Sequence, residues 1–140
     1  MFSAALLSGA AIVAPGLFAQ QKPSAADRAE IKAVISRQIE AFRHDDAKVA
    51  FSLASPGIQQ TFKTPENFLR MVRTAYQPVY RPASVTFLNL SGIENEVVQA
   101  VQLSDSSGAI WVALYPMQQQ TDGSWKTHGC QLFRADSVST

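Results

Sequence analysis

What this chain of 140 residues has little of narrows its reading first. It carries one cysteine, Cys130, so a disulfide within the chain is impossible, although a lone thiol in an oxidising compartment can still pair between chains. Charge of either sign is sparse: 12 Lys and Arg stand against 11 Asp and Glu, for a formal net charge of +1. The cations are scattered and form no clustered basic face of the kind that counterion release on phosphate requires, which excludes nucleic acid as the expected partner. Repeats, heptad seams and low-complexity tracts are absent. Apolar residues make up 46% of the chain, enough for one domain with a real hydrophobic core and too much for a disordered chain.

The first stretch lacks charge altogether, because no ionisable side chain precedes Lys22. Residues 4–18 are almost wholly apolar and are followed by "LFAQQ", with the small residue Ala19 where a signal peptidase would cut. The expectation is a secretory signal over 1–19, and hence a periplasmic or secreted protein. Pro15-Gly16 breaks the run, which is also shorter than the ~20 residues a membrane-spanning helix needs, so no membrane attachment is expected once the signal is cleaved. "MFS" departs from the usual signal in having no Lys or Arg. Residues 20–29 read as a linker, 30–135 as a single domain and 136–140 as a tail.

Helical spacing begins with Ser24 or Asp27 as cap, and Ile31, Val34, Ile35, Gln38, Ile39 and Phe42 then form one apolar stripe. "AFRHDDAKVAFSLASP" follows, and its His44-Asp45-Asp46 cluster reads as the seam between two helices. Asp46 is placed to cap the helix holding Val49, Phe51 and Leu53, while His44 meets the last carbonyls of the helix before it. Adjacent residues at a helix end point in different directions, and only one other histidine exists, so no metal site is expected. Ser55-Pro56-Gly57 ends the second helix, and "IQQTF" can add one turn. "TPENFLRMVRTAY" opens a further helix, with Thr64 as cap and Pro65 in its first position. "QPVYRPAS" reads as an extended, non-helical connector because of its prolines.

From Ser84 the period becomes that of strands. "SVTFLNL", "EVVQAVQL", "AIWVALYPMQ" and "SWKTHGCQLF" are separated by Ser91-Gly92, "SDSSG" and Thr121-Asp122-Gly123. The fold expected is α+β, with N-terminal helices packed on a curled four-stranded antiparallel sheet. Both alternating sets of "AIWVALYPM" are apolar, which predicts cover on both faces of that strand.

The "D-x-x-x-A-F-x-x-A-S-P" segment, the "TPENFLRMV" helix and the closing "DGSWKTHGC" resemble an uncharacterised bacterial domain-of-unknown-function family over about residues 31–132. More loosely, the order of elements is similar to the nuclear-transport-factor-2-like (cystatin-like) group of α+β cones. That resemblance implies a sheet wrapped around a helix, a pocket in the mouth of the cone and frequent dimerisation through the sheet. It implies no particular activity, since such cones host isomerases, dehydratases, carriers and non-catalytic partners. Members with a steroid-isomerase-like mechanism place a tyrosine and carboxylates inside the cone, whereas "VTFLNL", "VVQAVQL" and "IWVALYPM" hold no Asp or Glu.

Few residues remain for chemistry. His128 and Cys130 lie two apart on the last strand and are expected on one face, but ~6.5 Å separates such side chains, against the ~3 Å that activating a thiol requires. A buried cysteine is the plainer reading. Tyr76, Tyr80, Trp111 and Tyr115 pair large apolar area with one polar tip, and together with His128 they are the pocket candidates, with packing in the core as the competing role. Arg81 is a candidate cation for an anionic ligand at the mouth, or a solvated connector residue. No cofactor is expected. Three functions follow: an exported non-catalytic domain that binds a small, partly apolar ligand; an interaction module forming a homodimer through the outer sheet face; and a lyase- or isomerase-like enzyme using His128 and a tyrosine.

Overall fold

A computed structural model describes residues 23–93 and 96–135. The signal segment, the first part of the linker and the tail expected from the sequence lie outside the described residues. Helix α1, Ala25–Arg43, starts inside the stretch read as linker. Ser24 and Asp27 share its cap: Ser24 Oγ accepts from the Asp27 N–H and Asp27 Oδ2 accepts from the Ser24 N–H, each at 3.0 Å. The stripe expected on α1 is buried, from Ile31 to Phe42.

The His44-Asp45-Asp46 seam is structural. His44 Nε2 meets Glu40 Oε2 at 2.9 Å, and Asp46 Oδ1 caps α2, Ala47–Ser52, by accepting from the Val49 N–H at 3.2 Å. Asp45 turns the chain with a φ of 55° and accepts hydrogen bonds from the Tyr80 hydroxyl and the Arg81 guanidinium. Helix α3, Pro56–Phe62, and α4, Pro65–Ala75, each carry proline in the first turn behind a hydroxyl cap, Ser55 and Thr64.

The connector after α4 is not extended. Gln77–Tyr80 form a short helix, α5, with Tyr80 and Arg81 donating backbone hydrogen bonds to Tyr76 and Gln77. Pro78 falls in its first turn, where no N–H is required, and Pro82 follows its end, so both prolines frame a helix rather than exclude one.

The strands are β1 Ser84–Ile93, β2 Glu96–Ser104, β3 Ile110–Gln119, β4 Trp125–Thr127 and β5 Gln131–Arg134, all paired antiparallel. β1 runs through the expected break at Ser91-Gly92. β4 and β5 lie along the same edge of β3, so "SWKTHGCQLF" is a single fourth course interrupted at 128–130, where Gly129 has a φ of 130°. The register of β1 shifts between Phe87 and Leu90. That bulge keeps Val85, Phe87 and Leu90 all on the half-buried side although their spacing changes from two to three. The buried Gln99 fills it, donating to the carbonyls of Leu88 at 3.0 Å and Ala100 at 2.8 Å.

Helices cover one face of the sheet. Ala113, Tyr115 and Met117 of β3 and Val101 and Leu103 of β2 are buried beneath them. Phe68 of α4 is the hub of the helical side, its ring 5.6–5.9 Å from those of Phe42, Phe51 and Phe62. The alternate set on β3, with Val112 and Leu114, is only half-buried, and Phe133 beside Val112 is 45% exposed. The double cover expected for β3 is therefore missing on its outer face among the described residues. No helix among them is long and apolar enough to cross a membrane.

Candidate functional site

Between the helices and the inner sheet face lies a cavity of about 430 Å³, within the range of small-molecule sites. α3 and α4 supply one wall through Ile58, Phe62, Phe68, Met71 and Val72, and Phe42 and Val79 extend it. The opposite wall is Tyr115 of β3 with Thr127, Gly129 and Cys130 at the strand interruption. Ala75, exposed, lies at the rim with Tyr76. No charged side chain lines it among the described residues.

The polar atoms of this wall are few and mostly committed. Gln38 Nε2 donates to the Ala50 carbonyl at 2.9 Å, and Thr127 Oγ1 donates to the Leu53 carbonyl at 3.4 Å. The Tyr115 hydroxyl differs: it is buried, with the Cys130 side chain as its polar neighbour and no nitrogen or oxygen partner among the described residues. Burial first, then the charge and the hydrogen bond of the Cys130 side chain, drive its ionisation well above the ordinary tyrosine value, and it stays a neutral phenol. Burial likewise pushes the Cys130 thiol up to about 12, which removes thiolate reactivity.

The interruption of the last course separates the two residues expected on one face. Ladder pairing to β3 stops at Thr127 and resumes at Gln131, leaving Gly129 and Cys130 outside it. The positive φ of Gly129 turns the chain between them, so Cys130 faces the cavity while His128 is exposed. His128 Nδ1 instead lies 2.6 Å from Ser55 Oγ. That oxygen also accepts from the Ile58 N–H at 3.3 Å, so Ser55 joins the start of α3 to His128. Residues 53–55 are held there by a parallel bridge, with the Ser55 N–H bonded to the Thr127 carbonyl at 2.8 Å and the Thr127 N–H to that of Leu53 at 3.0 Å.

Of the five pocket candidates, the cavity wall includes Tyr76 and Tyr115. Tyr80 is buried elsewhere, donating to Asp45 under the Arg81 guanidinium, whose carbon is 4.2 Å from its ring centroid. Arg81 is thus engaged by Asp45, Tyr80 and the Phe42 carbonyl. Trp111 sits at the other end of β3, its indole donating to Asp105 at 3.0 Å. His128 and Tyr115 do not meet in one cavity. Sequence reasoning took Ser55 for a helix stop; Ser-Pro is equally a cap followed by proline in the first turn, and that signal pointed to α3. Among the described residues no three His, Cys, Asp or Glu gather as metal ligands.

Residues 24–140 match a family described as a domain of unknown function, DUF4864. The chain belongs to that family. This DUF4864 domain also shares its fold with Aln2 from a Streptomyces species, solved at 1.8 Å, at a TM-score of 0.53 and 15% identity, over 84% of this chain and 97% of that one. At that identity the likeness concerns the fold alone. No curated protein matches the DUF4864 chain.

Proposed function

We propose that this domain binds a small, partly apolar molecule in the cavity between α3, α4 and the inner face of β3, without catalysing its conversion. The carrying observation is the cavity itself: about 430 Å³ walled almost entirely by apolar side chains. Supporting it, the two groups an enzyme reading would use, His128 and a tyrosine, do not converge there, and the one thiol is held neutral by burial. Titration with the neutral fluorescent probe N-phenyl-1-naphthylamine tests the reading. One probe per chain is expected, with binding lost in Ala75→Trp, which fills the rim; undiminished binding in that variant would sink it.

A homodimer through the outer sheet face is a second reading, favoured by the half-buried row of Val98, Val112 and Leu114 next to the exposed Phe133. Sedimentation at micromolar concentration tests it, and a monomer unaffected by Phe133→Glu would end it. Export to the periplasm or beyond is proposed on the apolar, uncharged residues 4–18 alone.

A further inference from the structure

The polar side chains in the depth of the cavity wall are turned to neighbours within the protein. Gln38 Nε2 donates to the Ala50 carbonyl and Thr127 Oγ1 to that of Leu53. The Tyr115 hydroxyl and the Cys130 side chain lie beside one another, and burial keeps both neutral. The remaining wall is apolar, and its exposure rises in one direction: Phe42, Phe68 and Val72 are buried, Phe62 and Met71 half-buried, and Ala75 exposed beside Tyr76. The enclosed space therefore presents contact area and no charged side chain among the described residues, and it opens to water at the Ala75–Tyr76 rim.

From this arrangement we infer that the ligand has a hydrocarbon body and at most one polar end: the body is enclosed against Phe62, Phe68, Met71 and Val72 by contact alone, and the polar end stays at the rim beside Ala75 and Tyr76. The inference rests on the pocket reading and narrows its ligand class. An ion or a second hydroxyl carried into these walls would lose its water with nothing in exchange. Water itself needs about two to four polar partners, so a hydrocarbon displaces it from such a space without a loss of hydrogen bonds.

2-Methylnaphthalene, 2-naphthol and 2,6-dihydroxynaphthalene share one ring frame and carry no polar end, one and two; each is titrated calorimetrically at neutral pH into the whole protein. The first two are expected to bind within about tenfold of one another, since a single hydroxyl can stay at the rim. The diol is expected to bind at least about tenfold more weakly than 2-naphthol, because one of its hydroxyls must enter the apolar walls. Tyr115→Phe is expected to leave the affinity for 2-naphthol within about twofold, as that hydroxyl serves the protein and not the ligand. If that variant does not fold, the order of the three affinities in the parent still decides. A smaller loss for the diol, or a loss of 2-naphthol affinity of about tenfold or more in folded Tyr115→Phe, overturns the inference and leaves the pocket reading standing. Failure of all three probes to bind overturns the pocket reading and the inference with it.

Discussion

Ser55 Oγ and His128 Nδ1 stand 2.6 Å apart across a sequence separation of 73 residues. The bond joins the first turn of α3 to the interruption of the last course, the two segments that bring Ile58 and Cys130 to facing walls of the cavity. Ser55 is buried, so its hydroxyl clamps these walls together and is shielded from acting as a nucleophile. Ser55→Ala is expected to lower stability by about 1–2 kcal/mol through loss of the cap and of the histidine's partner. A double-mutant cycle with His128→Ala, read by urea unfolding, should give a coupling of about 0.5–1.5 kcal/mol. Strict additivity would contradict the clamp.

Asp105 organises the β2–β3 turn. Its carboxylate accepts from the Trp111 indole at 3.0 Å, from the Ser107 hydroxyl at 2.7 Å and from the Ala109 and Ser107 N–H groups at 3.0 Å, and these bonds, the indole's first and the hydroxyl's next, hold it down at about 2 against the ordinary 3.8. A depressed acid favours the native state while it is charged. Its contribution is therefore full above about pH 4 and fades as pH falls toward 2. Asp105→Asn should be less stable than the parent at pH 6, with the gap closing by pH 2 in thermal melts. A gap that stays constant with pH would show that the carboxylate's charge plays no part.

Phe68 contacts the rings of Phe42, Phe51 and Phe62, and three elements lean on it. Phe68→Ala is expected to cost about 3–5 kcal/mol by chemical denaturation, and to enlarge the cavity it borders. A loss below about 1 kcal/mol would mean that the cluster collapses around the gap.

Asp46→Ala tests the seam. The expected loss is about 1 kcal/mol in urea unfolding, the usual worth of a cap, with N-phenyl-1-naphthylamine affinity unchanged. Unchanged stability with lost probe binding would mean that the His44-Asp45-Asp46 cluster serves the ligand instead.

The local signals of the chain translated directly into structure. Ser24, Asp46 and Thr64 cap the helices they precede because a cap depends only on residues within one turn. What stayed illegible depends on distant parts of the chain. The bulge at Phe87–Leu90 is filled by Gln99 from the neighbouring strand, and the turn at Gly129 lies beside the bridge of Ala54 to Thr127. For the same reason the cavity was only half visible. Tyr76 and Tyr115 carry a polar tip that marks them in a sequence, whereas Met71 and Val72 look like any apolar helix face. Which end of β3 meets α4, and so why Trp111 lies away from the cavity, is set by register.

Methyl-resolved NMR during titration with N-phenyl-1-naphthylamine tests the central claim most directly. The binding account predicts that Ile58, Met71, Val72 and Val79 shift together and saturate at one equivalent, with Val98, Val112 and Leu114 unmoved. Shifts confined to those last three, on the outer sheet face, would contradict it.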